Sequence, residues 1–549
     1  MEVGLNGIAS GAARLAKRFG DEAYFAALCV RSGIVGPQLP HRIAQLGLAF
    51  ERFGLLGGAI AAGAIRHGDR PAVIDELGEL TYKQLHERSN ALANAWREHG
   101  LEPGESVAIL VRNHRGFFDA LFAAAKCGAK IVLLNTSFAG PQIREVAGRE
   151  GTFLLVYDDE YSEMLEEIEM PRGRWRAWAD EPGPGTLEAL IERSSPTAPP
   201  KTGAPLRIVI LTSGTTGTPK GAPRTPPRSL SLVGGLLSKV PFGAGEVTEL
   251  CVPMFHALGF SQAMLGVALG STIVIRRRFD PEETLESLNR RDATAMIVVP
   301  VMLQRMLEKA ASSRGKRRDR LPHLRIIFVG GSQLGAELCK RTMAAFGPIV
   351  YNLYGSTEIA YATIATPEDL ERQPGCVGEV VRGSVVKILD DDGREVPPES
   401  PGRIFVGNAS QFEGYTGGGS KEYVRGLMAS GDVGHFDREG RLFIDGRDDD
   451  MIVSGGENVF PAEVEDFLAG HDAIDEAAVI GVDDEQFGQR LKAFVVTREG
   501  AELSEEAVKD YVRENLARYK APREVVFLDE LPRNSTGKVL KRELEHQPQ

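Results

Sequence analysis

Residues 211–221 read LTSGTTGTPKG, with three glycines, five hydroxyl side chains and one lysine in eleven positions. The preceding run, Leu206-Arg207-Ile208-Val209-Ile210, is rich in β-branched residues and predicts a strand that empties into a flexible turn. Small residues let backbone N–H groups approach an oxyanion, Ser and Thr add hydroxyl donors, and a lysine supplies a point charge able to follow a phosphate. By composition alone the stretch also fits a mobile surface loop. A Walker A loop is disfavoured, because Gly214 to Gly221 has neither the GxxxxGK[ST] spacing nor its final hydroxyl.

Upstream, apolar strand-like runs (Ser106–Val111, Lys130–Leu134, Phe153–Tyr157) alternate with segments of helical period (Tyr82–Glu98, Phe117–Cys127), the pattern of an α/β body with largely parallel sheets. A proline-rich connector, SSPTAPPKTGAP at 194–205, precedes the quoted stretch. Downstream, STIVIRR, ATAMIVVPVM and LRIIFVGGS continue the alternation. From about 379 the composition shifts to short strands with turn signals, VVKILDDDGREV, GRIFVGN and GRLFIDG. The last hundred residues start over with a strand at Met451–Val453, a helix opened by Pro461, strands at Glu476–Val482 and Lys492–Thr497, and a helix over Ala507–Leu516. The expected fold class is α/β: a large domain of α/β subdomains with parallel sheets plus a β-rich subdomain, and a small C-terminal α+β domain. Domains are expected at 1–50 (a helical extension), 51–446 and 447–549.

The 549 residues allow about three or four units of domain size. A net charge of −12 argues against a nucleic-acid partner, so any polyanionic ligand must be held by local groups. The five cysteines (Cys29, Cys127, Cys251, Cys339, Cys376) show no CxxC pair, which points to a reducing compartment and no structural zinc. The N-terminal residues lack a signal peptide's order, and the apolar run FGLLGGAIAAGAI at 53–65 is too short to span a bilayer, so a cytoplasmic protein is expected. Leu15, Phe19, Phe25 and Leu28 recur at helical spacing; their helix either packs on the body, or lies peripherally on a membrane or against a partner. The basic run SSRGKRRDRLPHLR (312–325) reads as a solvated loop, with an anionic membrane surface or the phosphates of a ligand as the other reading.

Other unusual stretches follow the first in order: PMFHALGF (253–260), VGGSQLG (329–335), YNLYGSTE (351–358), SGDVGHFDREGRLFIDGRDDDMIVSGGENVFPAEVE (430–465) and PRNSTGK (532–538). Each is weak alone; as an ordered series from about 70 to 545 they resemble the motifs of the adenylate-forming superfamily, which includes acyl-CoA synthetases, aryl-CoA ligases, luciferases and peptide-synthetase adenylation domains. The resemblance implies a reaction in which a carboxylate is joined to AMP from ATP, expelling pyrophosphate, before a nucleophile takes the acyl group. Charge builds on the α-phosphate, so positioning and neutralisation carry the catalysis.

Carried over by that resemblance, Thr212, Ser213, Gly214, Thr215, Thr216, Gly217 and Lys220 embrace the β- and γ-phosphates. Ser356 and Thr357 lie at the α-phosphate, and Glu358 with Thr212 holds Mg²⁺, a hard cation suited to carboxylate and phosphate oxygens. Gly331, Ser332, Asn352 and Gly355 line the adenine, on which Tyr354 stacks; Asp432 and Arg447 reach the ribose. Lys538 matches the catalytic lysine. The small domain is expected to swing about Asp449, and Ser454, Gly455 and Gly456 to border the coenzyme A tunnel, where glycine lets a thiol arm pass close to the backbone. His256 matches a residue between acyl pocket and tunnel; a neutral histidine packed in an apolar turn is the other reading.

Acetate-specific relatives place a tryptophan where Gly355 stands, and Gly259, Gly266 and Gly270 read as leaving room, so the expected substrate is a medium- or long-chain fatty acid joined to coenzyme A. An aryl-CoA ligase remains an alternative. A fatty acyl-AMP ligase serving a carrier protein is a second, although residues 359–430 leave no room for that group's insertion. A silent nucleotide- or acyl-binding regulator is a third, against which Lys538, Glu358 and Asp432 all stand. The chain departs from the usual series in GAPRTPPRS after the lysine, in Gln333, and in Arg403 where glutamate is common.

Overall fold

The computed structural model describes residues 2–545, apart from 182, 213–219, 225–228, 313–320, 411–412, 449, 455–456, 485–487, 517–519 and 535–536; side chains of 2–16, 212, 224, 310–312, 453–454, 457–458 and 488 are likewise outside it. A six-stranded sheet runs in the order Arg174–Trp178, Thr152–Asp158, Ser106–Leu110, Lys130–Leu133, Arg207–Thr212, Lys220–Arg224. All of its pairs are parallel except the last, in which Thr212 faces Lys220. Val107 to Leu110 are buried without remainder, as expected of strands covered on both faces.

Helices begin where their caps dictate. Thr81 Oγ1 accepts from Gln84 N (3.1 Å) and Gln84 Oε1 accepts from Thr81 N (2.8 Å), a reciprocal box worth about 1 kcal/mol that starts the helix Tyr82–Glu98. Leu85, Leu92 and Trp96 lie on its buried face.

The second sheet has nine strands in the order Glu379–Val380, Ala360–Ala365, Val350–Ser356, Ile326–Val329, Ala295–Val298, Val247–Leu250, Thr272–Val274, Pro71–Asp75, Gly78–Thr81. The strands from Val350–Ser356 to Pro71–Asp75 are mutually parallel, with antiparallel hairpins at both edges. A five-stranded antiparallel subdomain follows (Val385–Leu389, Gly402–Gly407, Tyr423–Val424, Leu427–Phe436, Leu442–Arg447). The C-terminal unit has its own sheet, centred on the long pair Ile474–Asp484 and Gly488–Thr497, and its own apolar core around Val464, Val479, Val495 and Val512. These elements are the expected fold class.

The N-terminal residues form the helices Glu2–Ser32 and Pro40–His67. Phe25 is 1% exposed, packed where Gly234 of the helix Ser231–Lys239 has no side chain; a Cβ there would lie 2.4 Å from Phe25. The second helix is kinked at Gly54 (φ 65°) and crosses the expected 50/51 boundary. Beyond the kink it is buried through Leu56, Ile60 and Ala61, beside Lys126, whose ammonium is enclosed by Ser89 Oγ (2.7 Å), Asn90 Oδ1 (2.8 Å) and the His86 carbonyl (3.1 Å).

The small unit docks through specific contacts. Asp466 Oδ1 accepts from Ala336 N (3.1 Å), capping the large-domain helix Ala336–Phe346; Gln304 Nε2 donates to the Asp475 carbonyl (3.2 Å).

Candidate functional site

Four neighbouring parallel strands, Val247–Leu250, Ala295–Val298, Ile326–Val329 and Val350–Ser356, deliver candidate residues just past their carboxyl ends: His256, the Val299–Val301 turn, Gly331 with Ser332, and Tyr354 through Glu358. The crevice beyond the carboxyl ends is where open α/β sheets bind ligands.

At one end of this crevice Lys220 opens the return strand Lys220–Arg224, so the quoted stretch joins two antiparallel strands. A phosphate loop of the Walker type leads instead into a helix. Ser213, Gly214, Thr215, Thr216 and Gly217 lie outside the described residues, as does the Thr212 side chain. Lys220 Nζ sits 5.2 Å from the ring centre of Tyr415. The Tyr415 hydroxyl donates to Glu358 Oε1 (2.8 Å), and Ser356 Oγ donates to Glu358 Oε2 (2.9 Å) while accepting from Glu358 N (3.2 Å). Burial, with the adjacent carboxylate, raises the Tyr415 phenol far above its ordinary value. Thr416 N donates to the Gly221 carbonyl (2.9 Å), and a Cβ on Gly221 would meet Thr416 Oγ1 at 2.3 Å. Three distant segments therefore meet around Glu358. Tyr415 was not legible beforehand: it stands in FEGYTGGGS with no flanking signature, and only tertiary packing gives it a partner.

Around Asp432, Tyr354 donates to Oδ2 (2.6 Å) and Arg447 Nη1 lies 3.3 Å from Oδ1. Asp432 and Arg447 are cross-strand partners, so sheet register brings them together. The Tyr354 phenol is raised well above its ordinary value, by burial first and then by Asp432. Each carboxylate oxygen retains a lone pair beyond these bonds, enough to accept from a vicinal diol. Asn352 is 4% exposed, with Nδ2 3.5 Å from the Cys376 carbonyl, which turns its amide into the fold. Gly331 has φ 92°, a left-handed conformation suited to glycine.

Farther along the crevice, His256 precedes the helix Ala257–Leu269 and packs its ring against Phe255 (centroids 4.5 Å apart). Burial pushes its imidazole down to about 4, so it is neutral at pH 7. The glycines contradict the expectation that they leave room. A Cβ on Gly259 would meet the Pro253 carbonyl oxygen at 2.2 Å, and one on Gly355 would meet the Ala360 carbonyl oxygen at 2.0 Å. Gly266 abuts Ile273 (3.0 Å), and Gly270 ends the helix with φ 66°. These positions are glycine because another part of the chain passes close by, and they do not themselves open a pocket.

The hairpin of PRNSTGK is closed by Gly537 N to the Asn534 carbonyl (2.9 Å) and by Lys538 N to Asn534 Oδ1 (2.9 Å). Gly537 (φ 76°) presses on Val301, where a Cβ would lie 2.2 Å from Cγ1, and Val299 lies within 4 Å of the Cβ positions of both Gly537 and Gly331. The lysine hairpin therefore lands beside the Gly331 turn, with Lys538 exposed. Asp449, Gly455 and Gly456 lie outside the described residues, as does the Ser454 side chain.

Residues 60–416 match the family described as AMP-binding enzyme, and residues 463–538 match the AMP-binding enzyme C-terminal domain. The chain is 31% identical over 495 residues to a fatty acid–[acyl-carrier-protein] ligase of Streptomyces coeruleorubidus, covering 86% of this chain and 92% of that protein. It is 33% identical over 482 residues to an indoleacetate–CoA ligase of Aromatoleum aromaticum, covering 84% and 92%. Among solved structures it resembles the o-succinylbenzoate CoA synthetase of Bacillus subtilis in complex with its acyl-adenylate intermediate, with TM-score 0.78, 28% identity, and coverage of 89% and 98%. With more than half of its length matched by one family and relatives above 30% identity along most of it, the chain belongs to the AMP-binding enzymes of the adenylate-forming superfamily.

Proposed function

We propose that this chain is an ATP-dependent acid–thiol ligase, which joins a carboxylic acid to AMP with release of pyrophosphate and then passes the acyl group to the thiol of coenzyme A. The observation that carries this reading is the single strand Val350–Ser356 and its continuation to Glu358, which bears Tyr354 against Asp432 at one end and Glu358 against Tyr415 at the other. One rigid element thus spans the places where a nucleoside and its phosphates would lie.

In this reading Asp432 accepts from the ribose hydroxyls while Tyr354 and Arg447 fix its orientation. Lys220 and the stretch from Thr212 to Gly217 face the phosphates, with Ser356 and Thr357 at the α-phosphate. Gly331, Ser332 and Gly355 border the adenine, and Lys538 reaches the forming acyl–phosphate bond from the docked hairpin. Asp449 serves as the pivot of the small domain, and Ser454, Gly455 and Gly456 border the thiol path. Glu358 fits Mg²⁺: its two oxygens are oriented by hydroxyl donors and keep lone pairs with which they would hold a hard cation. When bound, that ion would neutralise phosphate charge. His256, held neutral, shapes the junction of acyl pocket and thiol path without carrying charge into it.

The proposed acid is a medium- or long-chain fatty acid. Support comes from the apolar stretches PMFHALGF and IVVPVM and from the relative that acts on fatty acids. That relative's acceptor, an acyl-carrier protein, supports a second reading in which the thiol belongs to a carrier. Pyrophosphate release and thioester formation should be followed in parallel across saturated acids of rising length, indoleacetate and benzoate, with coenzyme A and with a carrier protein. CoA thioesters from medium or long chains support the first reading. Pyrophosphate release with transfer only to the carrier replaces it by the second, and turnover of aromatic acids alone overturns the fatty-acid assignment.

A further inference from the structure

Among the described residues, nine of the fifteen exposed large apolar side chains fall between residues 19 and 55. Phe19, Leu48, Leu39 and Ile43 are 59–69% exposed, and Val30, Val35 and Leu55 more than half. A helix packed on a body hides one apolar stripe. In the first helix that stripe is Phe25 with Cys29, and a second one, Phe19, Ala23, Ala26, Ala27 and Val30, faces outward. It continues over the connection at Val35 and Leu39 into the first half of the helix Pro40–His67. Exposed apolar surface of this extent on a polar-rimmed segment marks a contact surface.

Charge selects the contact. The acidic side chains of the segment are already partnered: Asp21 pairs with Arg382 (2.7 Å), Glu22 accepts from Ser229 Oγ (2.5 Å) and Leu230 N (3.0 Å), and Glu51 pairs at the surface with Lys201 (2.7 Å). Lys17, Arg18, Arg31 and Arg42 stay exposed among the apolar side chains, on a chain whose net charge is −12. A second copy of this face would set like charges against each other, whereas an anionic lipid surface pairs them. We propose that residues 17–55 form an interfacial element that lays this outer stripe into the headgroup region of an anionic phospholipid bilayer.

The helix Pro40–His67 is long and apolar enough to cross a membrane, yet half of its most apolar window is buried in the protein. Gly54 divides its roles: the part before the kink supplies exposed Ile43 and Leu48, and the part after it roots in the large domain. A Cβ on Gly57 would touch Phe53 at 2.9 Å and Lys126 at 3.1 Å, and one on Gly63 would touch the Tyr82 ring at 2.5 Å, so the root is closely fitted. Docking therefore leaves the body in water and ties the enzyme to the surface through a packed helix. The proposal stands whichever acid the site activates.

The test is flotation of the full chain with phosphatidylcholine vesicles and with mixed phosphatidylcholine/phosphatidylglycerol vesicles. Ile43→Asp/Leu48→Asp and Arg18→Glu/Arg42→Glu serve as separate double variants, with folding checked by circular dichroism and oligomeric state by sedimentation velocity. The expected result is flotation with the anionic vesicles, reduced about tenfold or more by either variant and weakened by salt. Failure of the wild type to float overturns the proposal, as does equal binding to neutral vesicles that ignores charge reversal. A wild-type dimer that the apolar variant dissociates, without flotation, assigns the face to self-association instead.

Discussion

The proposed nucleoside end and the proposed acyl end of the crevice are built differently. At the first, side chains hold side chains: Tyr354 and Arg447 grip opposite oxygens of Asp432, and Ser356 and Tyr415 grip those of Glu358. At the second, Gly259 sits against the Pro253 carbonyl oxygen at a distance that no other residue tolerates, and Gly355, the neighbour of Tyr354 in its strand, is held in the same way by that of Ala360. Polar chemistry is thus carried by residue type, which can be read directly. Substrate size is carried by the path of the chain, which residue type reports only indirectly.

The sharpest attempt to break this contrast is Lys538→Ala. Removal of a charge that acts on the developing acyl–phosphate bond should lower the rate of pyrophosphate release about 10²–10³-fold. A loss below threefold would mean that the docked hairpin is not the catalytic element. Next, Asp432→Asn should raise the KM for ATP about 10–100-fold, and Tyr354→Phe or Tyr415→Phe about 2–10-fold, since a charged hydrogen bond is worth more than a neutral one. Equal effects from all three would remove the ranking on which the nucleoside assignment rests.

The acyl end should respond in stability. Gly259→Ala and Gly355→Ala should each cost about 1–3 kcal/mol of folding free energy, seen as a lowered Tm, because the added methyl meets backbone rather than space. An unchanged Tm with a shortened chain-length profile would restore the open-pocket reading of these glycines.

A smaller effect concerns pH. Burial holds His256 at about 4, and burial with the nearby Lys126 ammonium holds His86 at about 3, both below the ordinary 6.5. Between pH 6.5 and 4 the unfolded chain binds more protons at these sites than the folded one. Their contribution is therefore full above pH 6.5 and is lost as pH falls through that window, on the order of 1–2 kcal/mol each at pH 5. Calorimetry from pH 7.5 to 5 should show Tm falling, with a flatter slope in His86→Gln. An unchanged slope would show that His86 is not held neutral by its surroundings.

Periodicity and capping made much of the body legible. The helix Tyr82–Glu98 ends where it was expected because the Thr81–Gln84 box starts it and Gly100 (φ 85°) follows it. The strands at 106, 130, 152 and 207 were legible as β-branched runs. The return strand Lys220–Arg224 was not, since Pro223 and the prolines that follow read as a loop; its antiparallel edge position tolerates them. The helix Pro40–His67 was hidden by its five glycines, four of which punctuate the apolar run 53–65 without ending it. Of the site, Asp432, Tyr354 and Glu358 were visible as a series, whereas Tyr415 depended on a contact between residues 57 apart.

The Asp466 cap has a thermodynamic corollary. It is made across two separately cored units, so it exists only while they are docked. An N-cap is worth about 0.5–2 kcal/mol, which multiplies the docked population roughly 2- to 30-fold over any arrangement that breaks it. The capped helix begins just after the Gly331–Ser332 turn. A ligand at that turn that favours docking must therefore, by reciprocity, bind more tightly when the cap is intact. Asp466→Ala should weaken AMP affinity by that factor while leaving each unit folded, and unchanged affinity would show that the turn and the docked unit are uncoupled. One carboxylate, remote from any reacting atom, then sets the exchange rate between holding a nucleotide and holding a domain.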